Sequence, residues 1–159
     1  MNIAQAILDN FPDLSEAQRA VVGHLDGPLL VIAGPGAGKT YSIVLRTLNL
    51  LLLQKALPKQ LLLCTFTEKA AFEMRDRLSS AARKVDYTGD LSELTVSTIH
   101  GFCSRLLSMK RHRTQLGHNF DTLDELTTNA PHQRPKMACI ASAKEDAVNS
   151  FIHTFAITM

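Results

Sequence analysis

Residues 29–40 read LLVIAGPGAGKT. The run Leu29–Ala33 is continuously apolar and lies between Gly27-Pro28 and Gly34. A short apolar run between chain breakers suits a strand buried on both faces of a parallel sheet. Glycines follow at positions 34, 36 and 38, then Lys39 and Thr40. The glycines let the backbone turn tightly with its N–H groups pointing inward. A helix starting at Lys39 adds the partial positive charge of its N-terminus, and the two together make a cradle for anionic phosphate. The lysine ammonium reaches the β- and γ-phosphates, and the threonine hydroxyl is placed to ligate Mg²⁺. Strand, loop and helix in this order are the setting the motif requires. One departure is Ala33, which stands where the pattern usually has glycine. The reading is a phosphate loop made of Ala33, Gly34, Pro35, Gly36, Ala37, Gly38, Lys39 and Thr40. Kinases, GTPases and motors share such a loop, so it names no reaction by itself.

Upstream, residues 3–10 can form a short helix ended by Pro12, and Ser15–Val22 reads as a second. Ser15 and Gln18 have the spacing of a capping box, in which each satisfies an exposed N–H at the helix start. Downstream, an apolar-rich helix is expected from Lys39 to about Gln54. After Pro58, Leu61–Cys64 reads as a second buried strand. Thr67 can cap the next helix, EKAAFEMRDRLSSAARK, on which Ala70, Met74 and Leu78 share a face while Glu73 and Arg77 can pair at i,i+4. Asp86–Ser92 is polar and reads as a loop. Leu94–Ile99 is a third strand, followed by a helix from about His100 to Met109. Strands alternating with helices predict a parallel sheet with right-handed crossovers, an α/β layer fold with flanking helices.

Beyond Lys110 the pattern weakens. KRHR (110–113) is a small basic cluster, residues 118–126 suit a short strand or turn and then a helix, and 127–137 reads as loop or disorder. Residues 138–159 could be helical. The organisation divides into 1–113, which is well patterned, and 114–159, an uncertain continuation with an aberrant character.

Bulk properties limit the choice. A chain of 159 residues is one domain's worth and can bury a core. Its net charge of +2 is too small to argue for a polyanion partner from bulk charge, so any nucleic-acid contact must be local. Cys64, Cys103 and Cys139 are scattered and odd in number, which speaks against a disulfide framework or a zinc site. Reduced thiols fit a cytoplasmic protein. The N-terminus has no signal-peptide pattern, and the longest apolar run, Leu50–Leu53, is too short to span a bilayer.

Four segments together resemble the UvrD/Rep family of superfamily 1 DNA helicases. They are LSEAQRAVV (14–22), AGPGAGKT (33–40), CTFTEKAAFEMRDRL (64–78) and TVSTIHGFC (95–103). The first is similar to that family's glutamine motif, and the family commonly has alanine where Ala33 stands. The third looks like its motif Ia, a long and unusual match. The fourth looks like the T-x-H segment that follows, and its form TIHGFC leans toward the nuclease-fused RecB/AddA-like branch. The resemblance covers about residues 11–113.

It implies a P-loop NTPase of RecA-like fold that uses ATP and Mg²⁺ and translocates 3'-to-5' on single-stranded DNA in repair or recombination. Gln18 would hydrogen-bond the adenine edge, which an amide suits because it donates and accepts at once; the capping role stays open beside it. Lys39 and Thr40 would carry the catalytic phosphate contacts, Thr40 also the Mg²⁺. Thr65, Phe66 and Thr67 would line the path of single-stranded DNA, and His100 would sit near it. Phe66 and His100 read equally as structural groups, Phe102 and Cys103 as core. Lys69, Arg75 and Arg77 could meet DNA phosphates or simply form a solvated face.

Hydrolysis also needs an acidic residue for Mg²⁺ and a carboxylate to orient water. The family takes both from a hydrophobic run ending in D-E. Asp124-Glu125 is the only candidate by letter, and its setting is wrong; Glu145-Asp146 is worse. The expectation is thus an incomplete lobe from a truncated or frameshifted reading frame, which binds ATP without unwinding. Its helicase or nuclease partner subunits, if any, are unknown. The alternatives are a non-catalytic nucleotide- or DNA-binding remnant, or another P-loop NTPase such as a small kinase. A sheet lacking strands would leave an exposed apolar edge and weak solubility.

Overall fold

The computed structural model describes residues 2–110 and a short strand at 155–157. Two compact units emerge, residues 1–98 with 151–159, and residues 99–150. In the first, two short helices, α1 (Gln5–Asn10) and α2 (Glu16–Gly23), precede the phosphate loop. The long helix α3 (Lys39–Leu52) follows it, then a single 3₁₀ turn, strand β1 (Leu62–Thr65), helix α4 (Glu68–Lys84) and strand β2 (Thr95–Thr98). Strand β3 (Phe155–Ile157) completes a three-stranded parallel sheet of order β2-β1-β3. Leu62 pairs with Thr95 on one side and with Phe155 on the other. The second unit contains helix α5 (Ile99–Met109), on which none of the described residues is buried.

The local reasons for these elements are those read from the sequence. Ser15 and Gln18 close α2 as a capping box, with the Gln18 N–H donating to Ser15 Oγ at 3.2 Å and the Ser15 N–H donating to Gln18 Oε1 at 3.0 Å. Thr67 caps α4 by accepting from the Ala70 N–H at 3.1 Å. Met74 and Leu78 lie buried on one face of α4 with Ala71, and Ala70 stands at its margin. The apolar side of α3 supplies Val44, Leu45, Leu48 and Leu51 to a core shared with Ile7, Val22, Leu63, Met74, Leu78 and Val96. Apolar burial of this kind stabilises by about 25 cal/mol per Å².

Two polar groups of α3 tie the N-terminal helices down. Asn49 is fully buried; it donates to the carbonyls of Asn2 (2.8 Å) and Val22 (3.0 Å) and accepts from the Ala4 N–H (2.8 Å). Arg46 is buried and donates through Nε to the His24 carbonyl at 2.8 Å. Burial pushes its guanidinium below the usual arginine range. At the other end of the sheet, the Arg75 guanidinium donates to the Val96 carbonyl at 2.7 Å and Thr98 Oγ1 donates to Glu68 Oε1 at 2.9 Å, which joins α4 to β2.

Three expectations are corrected. Residues 29–33 form no strand, and they are not buried: Leu30 is 84% and Ile32 90% exposed. A continuous apolar run becomes a strand only by pairing with a neighbour, and residues 29–33 pair with none. Both edges of β1 are taken, by β2 and by β3. Second, residues 155–157, expected within a helical stretch, are a strand. Three residues that satisfy a neighbour's ladder need no periodicity of their own. Third, Cys103 is exposed, not core. Asp124-Glu125, Glu145-Asp146, Cys139, residues 111–113 of the KRHR cluster and residues 118–137 lie outside the described residues.

Candidate phosphate-binding site

The site is built on the turn between residue 33 and α3. Gly36 and Gly38 have φ of +77° and +76°, the left-handed region that side chains disfavour. Gly34 lies outside that region, so the left-handed turns fall on two of the three glycines. Gly38 is the N-cap of α3, and its carbonyl accepts from the Ser42 N–H at 2.9 Å. The loop closes on itself where the Ala37 N–H meets the Gly34 carbonyl at 3.3 Å. Lys39 folds back over it and donates from Nζ to the carbonyls of Ala33 and Gly34, both at 2.8 Å. The ammonium is thereby held at the mouth of the loop by two neutral carbonyl acceptors.

Gln18 reaches the loop from α2. Its Oε1 is engaged in the capping box, and its Nε2 donates to the Ala37 carbonyl at 3.4 Å. A Cβ on Gly38 would stand 2.6 Å from that nitrogen, so the glutamine packs against the loop as well as capping its own helix. The capping role expected of Gln18 is present, and the amide nitrogen left over faces the loop. Next to Thr40, the Tyr41 ring meets Phe11 edge-on at 6.0 Å between centroids. Burial, and then the charge of Asp13, raise the Tyr41 phenol above its usual value.

Two cavities of about 300 Å³ each adjoin here. One is lined by the loop, Gly36 to Tyr41, with Arg77. The other is lined by Thr40, Thr65, Phe66, Thr67, Glu73 and Arg77, among others. Thr40 therefore faces both. The sequence separates these groups by up to 41 positions; the packing of α4 against α3 and β1 brings them together. Thr65 is buried, with its hydroxyl donating to the Thr67 carbonyl at 2.9 Å, whereas Phe66 is 55% exposed. The exposed ring and the Thr67 hydroxyl are thus the groups of this trio that a ligand could touch. His100 is exposed on α5, in the second unit. Of the three basic residues singled out on α4, Arg75 serves β2, Lys69 is exposed, and Arg77 lines the cavities. Sequence reading missed Tyr41 and the cavity position of Glu73, since only the crossover geometry reveals them.

The loop fits a polyphosphate: left-handed glycines, the start of a 14-residue helix and a lysine converge on one cavity. The fit to a metal is narrower. No group of three or more His, Cys, Asp or Glu side chains gathers for a metal among the described residues, so the Thr40 hydroxyl would join a cation held mainly by the nucleotide.

The model of the UvrD/REP helicase N-terminal domain family matches residues 14–155. The chain belongs to that family. Over 111 residues it is 35% identical to the ATP-dependent DNA helicase PcrA of Bacillus subtilis, an alignment covering 70% of this chain and 14% of PcrA. It is 43% identical over 95 residues to the ATP-dependent DNA helicase UvrD1 of Mycobacterium leprae, covering 59% of this chain and 12% of that protein. It is 38% identical over 104 residues to a probable DNA helicase II homolog of Rickettsia conorii, covering 65% of this chain and 15% of the relative. The chain thus spans a small part of the length of each of these UvrD/REP relatives. Among its described residues no helix is long and apolar enough to cross a membrane.

Proposed function

We propose that this chain is the ATP-binding N-terminal portion of an ATP-dependent 3'-to-5' DNA helicase. The arrangement of Lys39 and Thr40 at the start of α3, over a loop with two left-handed glycines, is the observation that carries the reading. Membership of the UvrD/REP family and the names of the relatives support it. Lys39 would exchange the Ala33 and Gly34 carbonyls for phosphate oxygens, Thr40 would ligate Mg²⁺, and Gln18 would offer its Nε2 to the adenine edge. Bound Mg²⁺ would neutralise charge on the β- and γ-phosphates. Phe66 and Thr67 would meet single-stranded DNA by stacking and by hydrogen bonding to phosphate. These 159 residues by themselves bind ATP without unwinding a duplex, since they match only 12–15% of the length of the helicase relatives.

Titration of a fluorescent ATP analogue, with hydrolysis measured with and without single-stranded DNA, tests this. Wild type binds the analogue in Mg²⁺ without DNA-stimulated turnover, and Lys39→Ala loses at least about tenfold in affinity, the scale of one charge-assisted contact. Equal binding by wild type and Lys39→Ala would overturn the reading. DNA-stimulated turnover that Lys39→Ala abolishes would mean that the chain carries its own hydrolytic carboxylates.

A further inference from the structure

Arg77 occupies a place that the nucleotide reading does not use. It is the α4 residue common to both cavities, and the one α4 residue in the wall of the loop cavity. With Lys39 it makes the cationic lining of that cavity. Its partner is Glu73, at 3.9 Å and one helical turn earlier, in the one ion pair among the described residues. Both side chains are about half exposed, at 55% and 48%, and the contact is long. Such a pair is weak, because water screens both charges. A polyphosphate in the loop cavity carries more charge than a carboxylate and offers the planar guanidinium several oxygens at once. Glu73 itself lines the second cavity, beside Thr65, Phe66 and Thr67.

We propose that Arg77 is a nucleotide-responsive residue: its guanidinium leaves Glu73 for the phosphates of bound ATP, and so changes the cavity lined by Phe66 and Thr67. The inference rests on the ATP reading of the loop. Arg77 touches the nucleotide directly and acts on the second cavity through Glu73. Occupancy of the loop frees the Glu73 carboxylate next to Phe66 and Thr67. That adds negative charge to their cavity and weakens any anion held there. The direction follows from charge alone: ATP in the loop disfavours phosphate groups at Phe66 and Thr67, and loss of ATP restores them.

The test compares wild type, Lys39→Ala, Arg77→Ala, Arg77→Lys and Glu73→Gln. Affinity for fluorescent ATP and ADP is measured for each, and so is hydrogen–deuterium exchange of the peptide spanning residues 65–77 at saturating ATP. Arg77→Ala weakens ATP by about tenfold, as expected for a lost charge-assisted contact, and Arg77→Lys recovers part of it. Glu73→Gln tightens ATP by about two- to threefold, because Arg77 no longer has to leave a charged partner. ATP changes exchange at residues 65–77 in wild type but not in Arg77→Ala. If Arg77→Ala and Glu73→Gln match wild type in affinity and exchange while Lys39→Ala loses binding, the role of Arg77 is overturned and the ATP reading stands. If wild type fails to bind, both fall. Thermal melts check folding, and an unchanged melt is expected at this exposed pair.

Discussion

Two residues show how far local chemistry decides this structure. Gly38 sits at φ +76° with Gln18 Nε2 in the space a Cβ would need. Gly38→Ala should cost about 1–2 kcal/mol, from left-handed strain together with displacement of the Gln18 amide. A fall in the urea midpoint beside weakened nucleotide binding would show both; an unchanged midpoint would mean that the loop has another conformation. Asn49 is the opposite case, a buried group with three partners on the N-terminal segments. Asn49→Leu keeps the volume and strands two carbonyls and an N–H. It should therefore destabilise by about 2–4 kcal/mol, read from chemical denaturation. Tyr41 sets a pH limit. Its phenol is raised by burial and by Asp13, so the folded state holds that proton more tightly than the unfolded chain does. The stability this gives is complete below the unfolded phenol's pKa and is lost as pH rises through the higher folded value. Tyr41→Phe should flatten that alkaline loss, which melts taken across strongly alkaline buffers would reveal.

Elements with their own punctuation were legible in the sequence. The capping box of α2, the Thr67 cap of α4, the spacing of Met74 and Leu78, and the short runs that became β1 and β2 all carry local signals. Ser15→Ala removes the hydroxyl that accepts from the Gln18 N–H and should cost about 1 kcal/mol, measurable as a lower denaturation midpoint. The loop motif was likewise visible as a string of letters. What the sequence hid depends on distant partners. Leu29–Ala33 has the composition of a buried strand, yet strand status requires hydrogen bonds to a neighbour, and the sheet of order β2-β1-β3 does not include it. Residues 155–157 are too short a run to show a period of their own, and they become a strand by pairing with β1. The cavity positions of Arg77 and Glu73 are of the same kind: on α4 they read as a solvated i,i+4 pair, and only the packing of α4 beside the loop makes them lining groups.

For the whole molecule, the exposed run at 29–33 is the main liability. Leu30 and Ile32 put two large apolar side chains into water side by side with partly exposed Leu29 and Val31. An exposed apolar stretch of this kind attracts other chains. The isolated chain should self-associate with rising concentration, seen by light scattering. The double substitution Leu30→Lys/Ile32→Lys should reduce that association with little change in the melt, since neither side chain is buried. Equal association in both proteins would locate the sticky surface elsewhere.

The strand order β2-β1-β3 has a consequence for biosynthesis. The central strand leaves the ribosome long before its second neighbour exists, because Phe155 lies 90 positions after Thr65. At about 5–20 residues per second, that edge stays bare for roughly 5–20 s of translation. The nascent chain already contains the apolar segment at 29–33. Until residue 155 arrives, that segment is the nearest competitor for the bare edge, and the order of synthesis favours it.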